Sequence, residues 1–239
     1  NPDYRLFDIL YNSLPDTHKQ ILTTQYRMIE NIGNLISKVF YRGIIDTGCN
    51  DDEKRHGLSR YVGKSIVWFD TSTNEKKSQK RTKGGSYINE EEKRIILEIL
   101  DDLKSTGELK GLDIGIITGY SGQKELLRKS IKATGLDKIA SKIDINTLDA
   151  FQGRENDIII YSTVRTRDSI GFQKEKERVN VAFSRAKKLL IVCGDKNFFY
   201  NFDDQDNKFV EIIDYISEGE ECEIIQCDGG KLFERESNS

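Results

Sequence analysis

Residues 143–163 read Ile-Asp-Ile-Asn-Thr-Leu-Asp-Ala-Phe-Gln-Gly-Arg-Glu-Asn-Asp-Ile-Ile-Ile-Tyr-Ser-Thr, and the fold turns on them. Two short runs, Ile143–Leu148 and Asp157–Thr163, are nearly continuous in β-branched and apolar residues. Runs so short and so apolar suit strands buried on both faces of a parallel sheet. Leu189–Cys193 is a third of the same kind, and Ser65–Asp70 and Asp113–Thr118 are further strand candidates. Helical spacing recurs between them. Asn89–Lys104 carries Ile95, Ile96, Ile99, Leu100 and Leu103; Gly122–Lys132 carries Leu126, Leu127 and Ile131. Glu175–Lys187 and Phe209–Ile216 complete the set. This alternation predicts an α/β fold, a doubly wound and mainly parallel sheet flanked by helices. Ligands in such folds bind beyond the C-terminal ends of the strands.

The bulk numbers agree. The chain has 239 residues, 36% hydrophobic and 32% charged, with only 2 Pro, which suits one α/β domain, or one domain with a short appendage. No apolar run approaches the ~18–20 residues of a membrane span. The start, Asn1-Pro2-Asp3-Tyr4, is not a signal peptide and lacks Met, so it reads as cut from a longer protein. A net charge of -3 excludes a generic polyanion binder. Cys49, Cys193, Cys222 and Cys227 form no CxxC pair and the only His are His18 and His56, which argues against zinc and for a reducing cytosolic or nuclear compartment.

Two segments break the pattern. Thr71–Ser86 is polar, Gly-containing and basic, and reads as a mobile loop. Its charge fits either a solvated run or a loop that touches nucleic acid. Phe202–Glu223 is acidic and reads as a solvated terminal helix and tail.

The chain holds no GxxxxGK[ST] phosphate loop, GxGxxG, GxSxG or HExxH. A self-sufficient nucleotide hydrolase, a Rossmann dehydrogenase and a metal hydrolase all fall away. Three polar segments remain. In Thr147–Asp157, Gly153 lets a ligand approach the backbone, Glu155 can accept from ribose hydroxyls, and Thr147 and Gln152 can bond phosphate or other polar groups. In Arg178–Lys187, Arg178 and Arg185 are seven apart, which on a helix puts both guanidinium groups on one face. A rigidly held guanidinium suits a γ-phosphate because it is always charged and offers paired donors. In Gln25-Tyr26-Arg27-Met28 an aromatic that can stack on a base stands beside an Arg that can neutralise developing phosphoryl charge.

Together these segments resemble motifs IV (QYRM), V (TLDAFQGRE) and VI (RVNVAFSRAK) of superfamily 1 helicases. The resemblance is strongest to the 5′-to-3′ branch that includes the RNA helicase of nonsense-mediated decay and related DNA helicases. SYINEEE at 86–92, IITGYSGQ at 116–123, YSTVRT at 161–166 and GFQKEKERVN at 171–180 fall in family order, so the likeness spans about residues 6–216. Three positions depart: Gly119 stands where the family has Pro, Glu177-Arg178 where it has paired basic residues, and Phe183-Ser184 where it has Leu-Thr.

The resemblance implies a RecA-like second motor domain over residues 18–200, a connector over 1–17 and a terminal helix and acidic tail over 201–239. It implies ATP and Mg²⁺ as cofactors of a full-length protein, with the phosphate loop and Mg²⁺ ligands in a first RecA-like domain of the same chain. By resemblance Arg27 and Arg185 are arginine fingers, and Tyr26, Gly153, Glu155, Gln25 and Arg178 bind nucleotide. Single-stranded DNA or RNA then meets Tyr120, Ser121, Gln123, Thr147, Gln152 and Arg165. Ser121 is expected to cap a helix beginning near Gly122, leaving N–H groups free for a backbone phosphate. The competing reading is a non-catalytic RecA-like scaffold module, motivated by the absent phosphate loop.

Overall fold

The structure, a computed structural model, describes residues 10, 13–19, 22–108, 111–136, 143–151 and 153–233. Its strands are β1 (Thr24–Gln25), β2 (Asp46–Thr47), β3 (Ile66–Asp70), β4 (Lys80–Arg81), β5 (Tyr87–Ile88), β6 (Ile114–Thr118), β7 (Ile143–Thr147), β8 (Asn156–Ser162), β9 (Ala186–Gly194) and β10 (Cys222–Gln226). Its helices are α1 (Glu30–Phe40), α2 (Asp51–Lys54), α3 (Glu90–Ser105), α4 (Ser121–Ala133), α5 (Lys176–Phe183), α6 (Lys196–Tyr200) and α7 (Phe209–Glu218). Six strands form one sheet in the order β10-β3-β9-β8-β6-β7, and every neighbouring pair is parallel.

Alternation along each strand feeds two cores. Trp68, Ile159, Tyr161, Leu190 and Val192 join Ile32, Leu35 and Ile36 of α1, Phe183 of α5 and Phe209 and Ile212 of α7 on one face. Val67, Phe69, Ile158, Ile160, Leu189 and Ile191 join Ile95, Ile99 and Leu103 of α3 and Leu127 and Ile131 of α4 on the other. Successive side chains of a strand point to opposite faces, so an uninterrupted apolar run serves both layers at once. All five predicted strands are present, but β7 ends the sheet with only Ile145 buried, so this run is not covered on both faces as the sequence suggested.

Four expectations are corrected. First, α5 stops at Phe183 with Ser184 as its C-cap, and β9 begins at Ala186. Arg185 therefore stands in the turn between helix and strand, not two helical turns from Arg178. The apolar run that follows is worth more as a central strand, paired with β8 and β3, than as helix. Second, α4 begins at Ser121 with Tyr120 at the N-cap and no side-chain cap. Third, the basic stretch is tied down: β4 pairs with β5, Gln79 and Thr166 exchange hydrogen bonds at 3.2 and 3.0 Å, and Lys77 pairs with Asp195 at 2.8 Å. Fourth, the acidic terminal stretch is not merely solvated. Phe209, Ile212, Ile213 and Ile216 bury one face of α7, and β10 adds the edge strand beside β3.

Candidate functional site

Strand direction divides the sequence-predicted residues between two opposite edges of the sheet. Glu155 precedes the first residue of β8 and Arg185 the first residue of β9, so both lie at the N-terminal edge. The segments are laced together there: Asn156 N–H donates to Arg185 O at 3.1 Å, and Ile29 N–H to Lys187 O at 2.8 Å. The second bond brings the 25–28 turn to the same place. This cluster therefore lies at the edge opposite to the C-terminal one expected for ligands.

Gln25 builds that turn. Its Oε1 accepts from Arg27 N–H at 2.9 Å and Met28 N–H at 2.8 Å, and its Nε2 donates to Met28 O and Thr47 Oγ1. With its amide fully used, Gln25 positions its neighbours. Lys54 Nζ fastens the Tyr26 and Arg27 carbonyls, at 2.7 Å each. The Tyr26 ring is left 67% exposed, lying so close over Gly48 that a Cβ there would collide with it. An exposed aromatic on a fastened backbone is a ready stacking surface.

Arg27 Nε donates to Glu155 Oε2 at 2.6 Å and its Nη1 to Ser184 O at 3.1 Å, while Lys187 Nζ reaches Glu155 Oε1 at 3.1 Å. Arg185 is half-buried, its Nε donating to Val181 O at 3.2 Å, and it has no acidic partner among the described residues. Burial and then the Arg27 charge hold the Arg185 guanidinium below its usual range. Partial burial works to raise the Glu155 carboxyl, but hydrogen bonds from Lys187 and Arg27 outweigh it and the net shift is downward. Two cations thus pair with one carboxylate, and a third, Arg185, stands close enough for the Arg27 charge to act against its own. An excess of positive charge of this kind suits an anionic ligand. Gly153 adds an exposed backbone at φ 88°, with nothing within 4 Å of a Cβ. Lys187 belongs to the cluster and was missed as a site residue, although it closes the RVNVAFSRAK segment.

Arg178 is elsewhere. It bonds Glu175 Oε2 at 2.7 Å, lies 3.7 Å from Asp149 and sits over the Phe172 ring at 5.2 Å, sharing no partner with Arg27 or Arg185.

The C-terminal edge gathers the other residues, and most are buried. Tyr120 is 4% exposed, packed edge-on against Tyr87 and tilted against Phe172. Arg165 is 5% exposed, with Nε on Ser169 O at 2.8 Å and its guanidinium 4.2 Å over the Tyr87 ring. Gln123 is fully buried: its Oε1 accepts from Asn89 N–H at 2.9 Å and its Nε2 donates to Asn89 O and Ser162 Oγ, both at 3.1 Å. These three brace the edge from within. Ser121 is exposed and Thr147 half-exposed at the ends of their elements. Gln152 lies outside the described residues.

Glu92 holds this edge together and was not singled out. Asn89-x-x-Glu92 is a capping-box sequence, in which Glu92 would return to the Asn89 N–H. Asn89 does cap α3, accepting from Glu91 and Glu92 N–H, but Gln123 takes the Asn89 N–H. Glu92 is thereby released across the core. It accepts from Ser162 Oγ at 2.6 Å, Thr163 Oγ1 at 3.1 Å and Val164 N–H at 2.8 and 2.9 Å. Val164 is a β-branched residue at φ 68°, a strained conformation that persists only when the surroundings impose it. Burial pushes the Glu92 carboxyl up to about 7 against those hydrogen bonds.

A family model described as AAA domain (AAA_12) matches residues 3–197. The chain belongs to that AAA domain family. It is 36% identical over 185 residues to Helicase SEN1 of Saccharomyces cerevisiae, covering 73% of this chain and 8% of that protein. It is 32% identical to the Regulator of nonsense transcripts 1 homolog of Neurospora crassa, over 73% of this chain and 16% of that one. It is also 32% identical over 227 residues to the Uncharacterized ATP-dependent helicase MJ0104 of Methanocaldococcus jannaschii, covering 90% and 32%. The chain therefore spans less than a third of the length of these relatives. A solved C-terminal domain of a possible DNA helicase from Lactobacillus plantarum WCFS1 aligns with a TM-score of 0.42 at 14% identity, over 72% of this chain and 88% of that one, too loosely to argue from. With the AAA domain match, these relatives bear out the superfamily 1 helicase resemblance drawn from the motifs. No helix among the described residues is long and apolar enough to cross a membrane.

Proposed function

We propose that this helicase-family domain is the second RecA-like motor domain of a nucleic-acid-dependent ATPase, and that its N-terminal sheet edge closes over ATP held by a phosphate loop on another domain. The observation that carries the proposal is the group of Arg27, Arg185 and Lys187 around Glu155, an anion site with excess positive charge and no phosphate loop of its own. Arg185 is the readier finger, being half-buried, oriented by Val181 O and free of any acidic partner among the described residues. Arg27 is held in reserve by Glu155. Since that pair is 38% and 42% exposed, its exchange for a phosphate costs little, on the order of 1 kcal/mol or less. Once released, Glu155 can accept from ribose hydroxyls, and Tyr26 can cover the base. An arginine finger supplied across an interface is worth about 10³–10⁵ in rate. ATP with Mg²⁺ brings the phosphoryl group to be transferred; this chain contributes charge, orientation and exclusion of water.

On the opposite edge we place a single strand of DNA or RNA against Ser121, Thr147 and the N-terminus of α4. Tyr120, Gln123 and Arg165 keep that edge rigid from beneath. Contacts of this kind reach phosphate and sugar and carry little sequence preference. The six-stranded sheet lies between the two edges and links nucleotide closure to movement along the strand.

The test is ATP turnover by the longer protein containing this chain, with and without single-stranded DNA and RNA, beside the 239-residue chain alone. Strong stimulation by one polymer with an inert fragment supports the split site. A longer protein that stays inert with both polymers favours the scaffold reading instead.

A further inference from the structure

We propose that the β4–β5 ribbon is a second phosphate-gripping arm, in which Lys80, Arg81 and Lys83 hold the nucleic-acid backbone as it passes the N-terminus of α4. The inference deepens the nucleic-acid reading above and rests on it.

The charges are available. Lys80, Arg81 and Lys83 are exposed and have no acidic partner among the described residues, whereas nearby Lys77 is spent on Asp195 at 2.8 Å. In a chain of net charge -3, three neighbouring unpaired cations are a local concentration. Unpaired lysines on a loose loop would still be a solvated run, so the placement of the ribbon decides between the two readings.

The ribbon is docked on the track. Ser86 Oγ, in its turn, accepts from Gly122 N–H at 3.0 Å, in the first turn of α4. Gly122 is where the ribbon comes closest: a Cβ there would meet Tyr87 O at 3.1 Å, and Ile88 Cγ2 and Ser86 Cβ at 3.2 Å each. Tyr87 of β5 packs edge-on against Tyr120 and lies under the Arg165 guanidinium. Asn89, just beyond β5, is bonded to Gln123 and Val164 O. A prepositioned arm loses little freedom on binding, which is where flexible lysines usually forfeit affinity.

The location also selects the ligand. The N-terminus of α4 presents the positive pole of a 13-residue helix without a side-chain cap of its own. The ribbon adds discrete charges beside that pole, a combination suited to successive phosphates of one backbone. The opposite flank is unsuitable. A cavity of about 800 Å³ there is lined by four cations, Lys80 among them, matched by four carboxylates, and Lys93 and Arg94 are paired with Glu90, Glu91 and Glu98, so that wall offers a polyanion no excess positive charge. The strand is therefore placed on the α4 side.

The experiment titrates the 239-residue chain into fluorescently labelled oligothymidylate and oligouridylate at several salt concentrations, and reads anisotropy. The test variant carries Lys80→Ala, Arg81→Ala and Lys83→Ala. A control carries Lys104→Ala, Lys129→Ala and Lys132→Ala, all exposed and away from the start of α4, with the same loss of charge. Each phosphate contact to a single strand contributes about 0.7 to the slope of log K against log salt, so the test variant should lose about 2 from that slope. The control should keep the parent slope. Equal slopes for parent and test variant, with clear binding by both, overturn the arm and leave the nucleic-acid reading standing. Equal losses in the test variant and the control also overturn it, because they would report bulk charge alone. No binding by the parent at low salt overturns the track and the arm together.

Discussion

Glu92→Gln makes the sharpest structural prediction. The Glu92 side chain is fully buried, and burial raises its carboxyl from 4.5 to about 7 in spite of hydrogen bonds from Ser162, Val164 and Thr163; the Asp195 charge adds to the rise. A folded value above the unfolded one means that the native state binds the extra proton. The stability this contributes is complete below about pH 4.5 and is lost as pH rises through about 7. The difference corresponds to ~3 kcal/mol at ~1.4 kcal/mol per unit. For a domain of this size it moves the thermal midpoint by roughly 6–12 °C. Scanning calorimetry between about pH 5 and pH 8.5, a window above the ordinary carboxylate range, should therefore show the parent losing stability as pH rises. Glu92→Gln keeps the volume and an acceptor for Val164 N–H but cannot titrate, so its midpoint should be nearly flat there. A flat parent profile, or the same slope in the variant, would refute the assignment of that proton to Glu92.

Other consequences are testable together. Arg27→Ala should leave the thermal midpoint nearly unchanged, since the Arg27–Glu155 pair is screened by solvent and worth at most about 1 kcal/mol, while ATP turnover of the longer protein collapses; a large stability loss would mark Arg27 as a structural residue. Tyr26→Ala should raise the KM for ATP by on the order of ten-fold with the fold intact, as expected for one lost stacking contact from a ring 67% exposed; an unchanged KM removes Tyr26 from the nucleotide. Gly122→Ala should destabilise the domain by about 1–3 kcal/mol, because the new methyl meets Tyr87 O at 3.1 Å; a parent-like calorimetric midpoint would show that the ribbon yields freely.

Much of this was legible in the chain. Four buried strands announced themselves because a central parallel strand needs apolar side chains on both faces, and runs such as Ile158–Tyr161 have few other uses, while the fifth, β7, proved to be a half-exposed edge strand. The 25–28, 147–157 and 178–187 segments stood out because polar residues flank those runs. What was illegible depended on tertiary choices. Whether Arg185 ends a helix or begins a strand is decided by the partners of β9, which local periodicity cannot reveal. The family resemblance that names Gln123 as a nucleic-acid contact says nothing of its burial; here Asn89 and Ser162 satisfy it in the core. Glu92 was hidden by a capping box whose acceptor role Gln123 had taken. The edge strand β10 was masked by acidic neighbours, since an outermost strand is half-exposed and need not be apolar throughout.

On the function proposed above, this chain completes an ATP site by supplying Arg185 across a domain interface. The most direct test is nucleic-acid-stimulated ATP turnover by Arg185→Ala in the longer protein, measured beside oligonucleotide binding by the same preparation. The account predicts a loss of about 10³–10⁵ in turnover with oligonucleotide affinity retained. Turnover near that of the parent would contradict it.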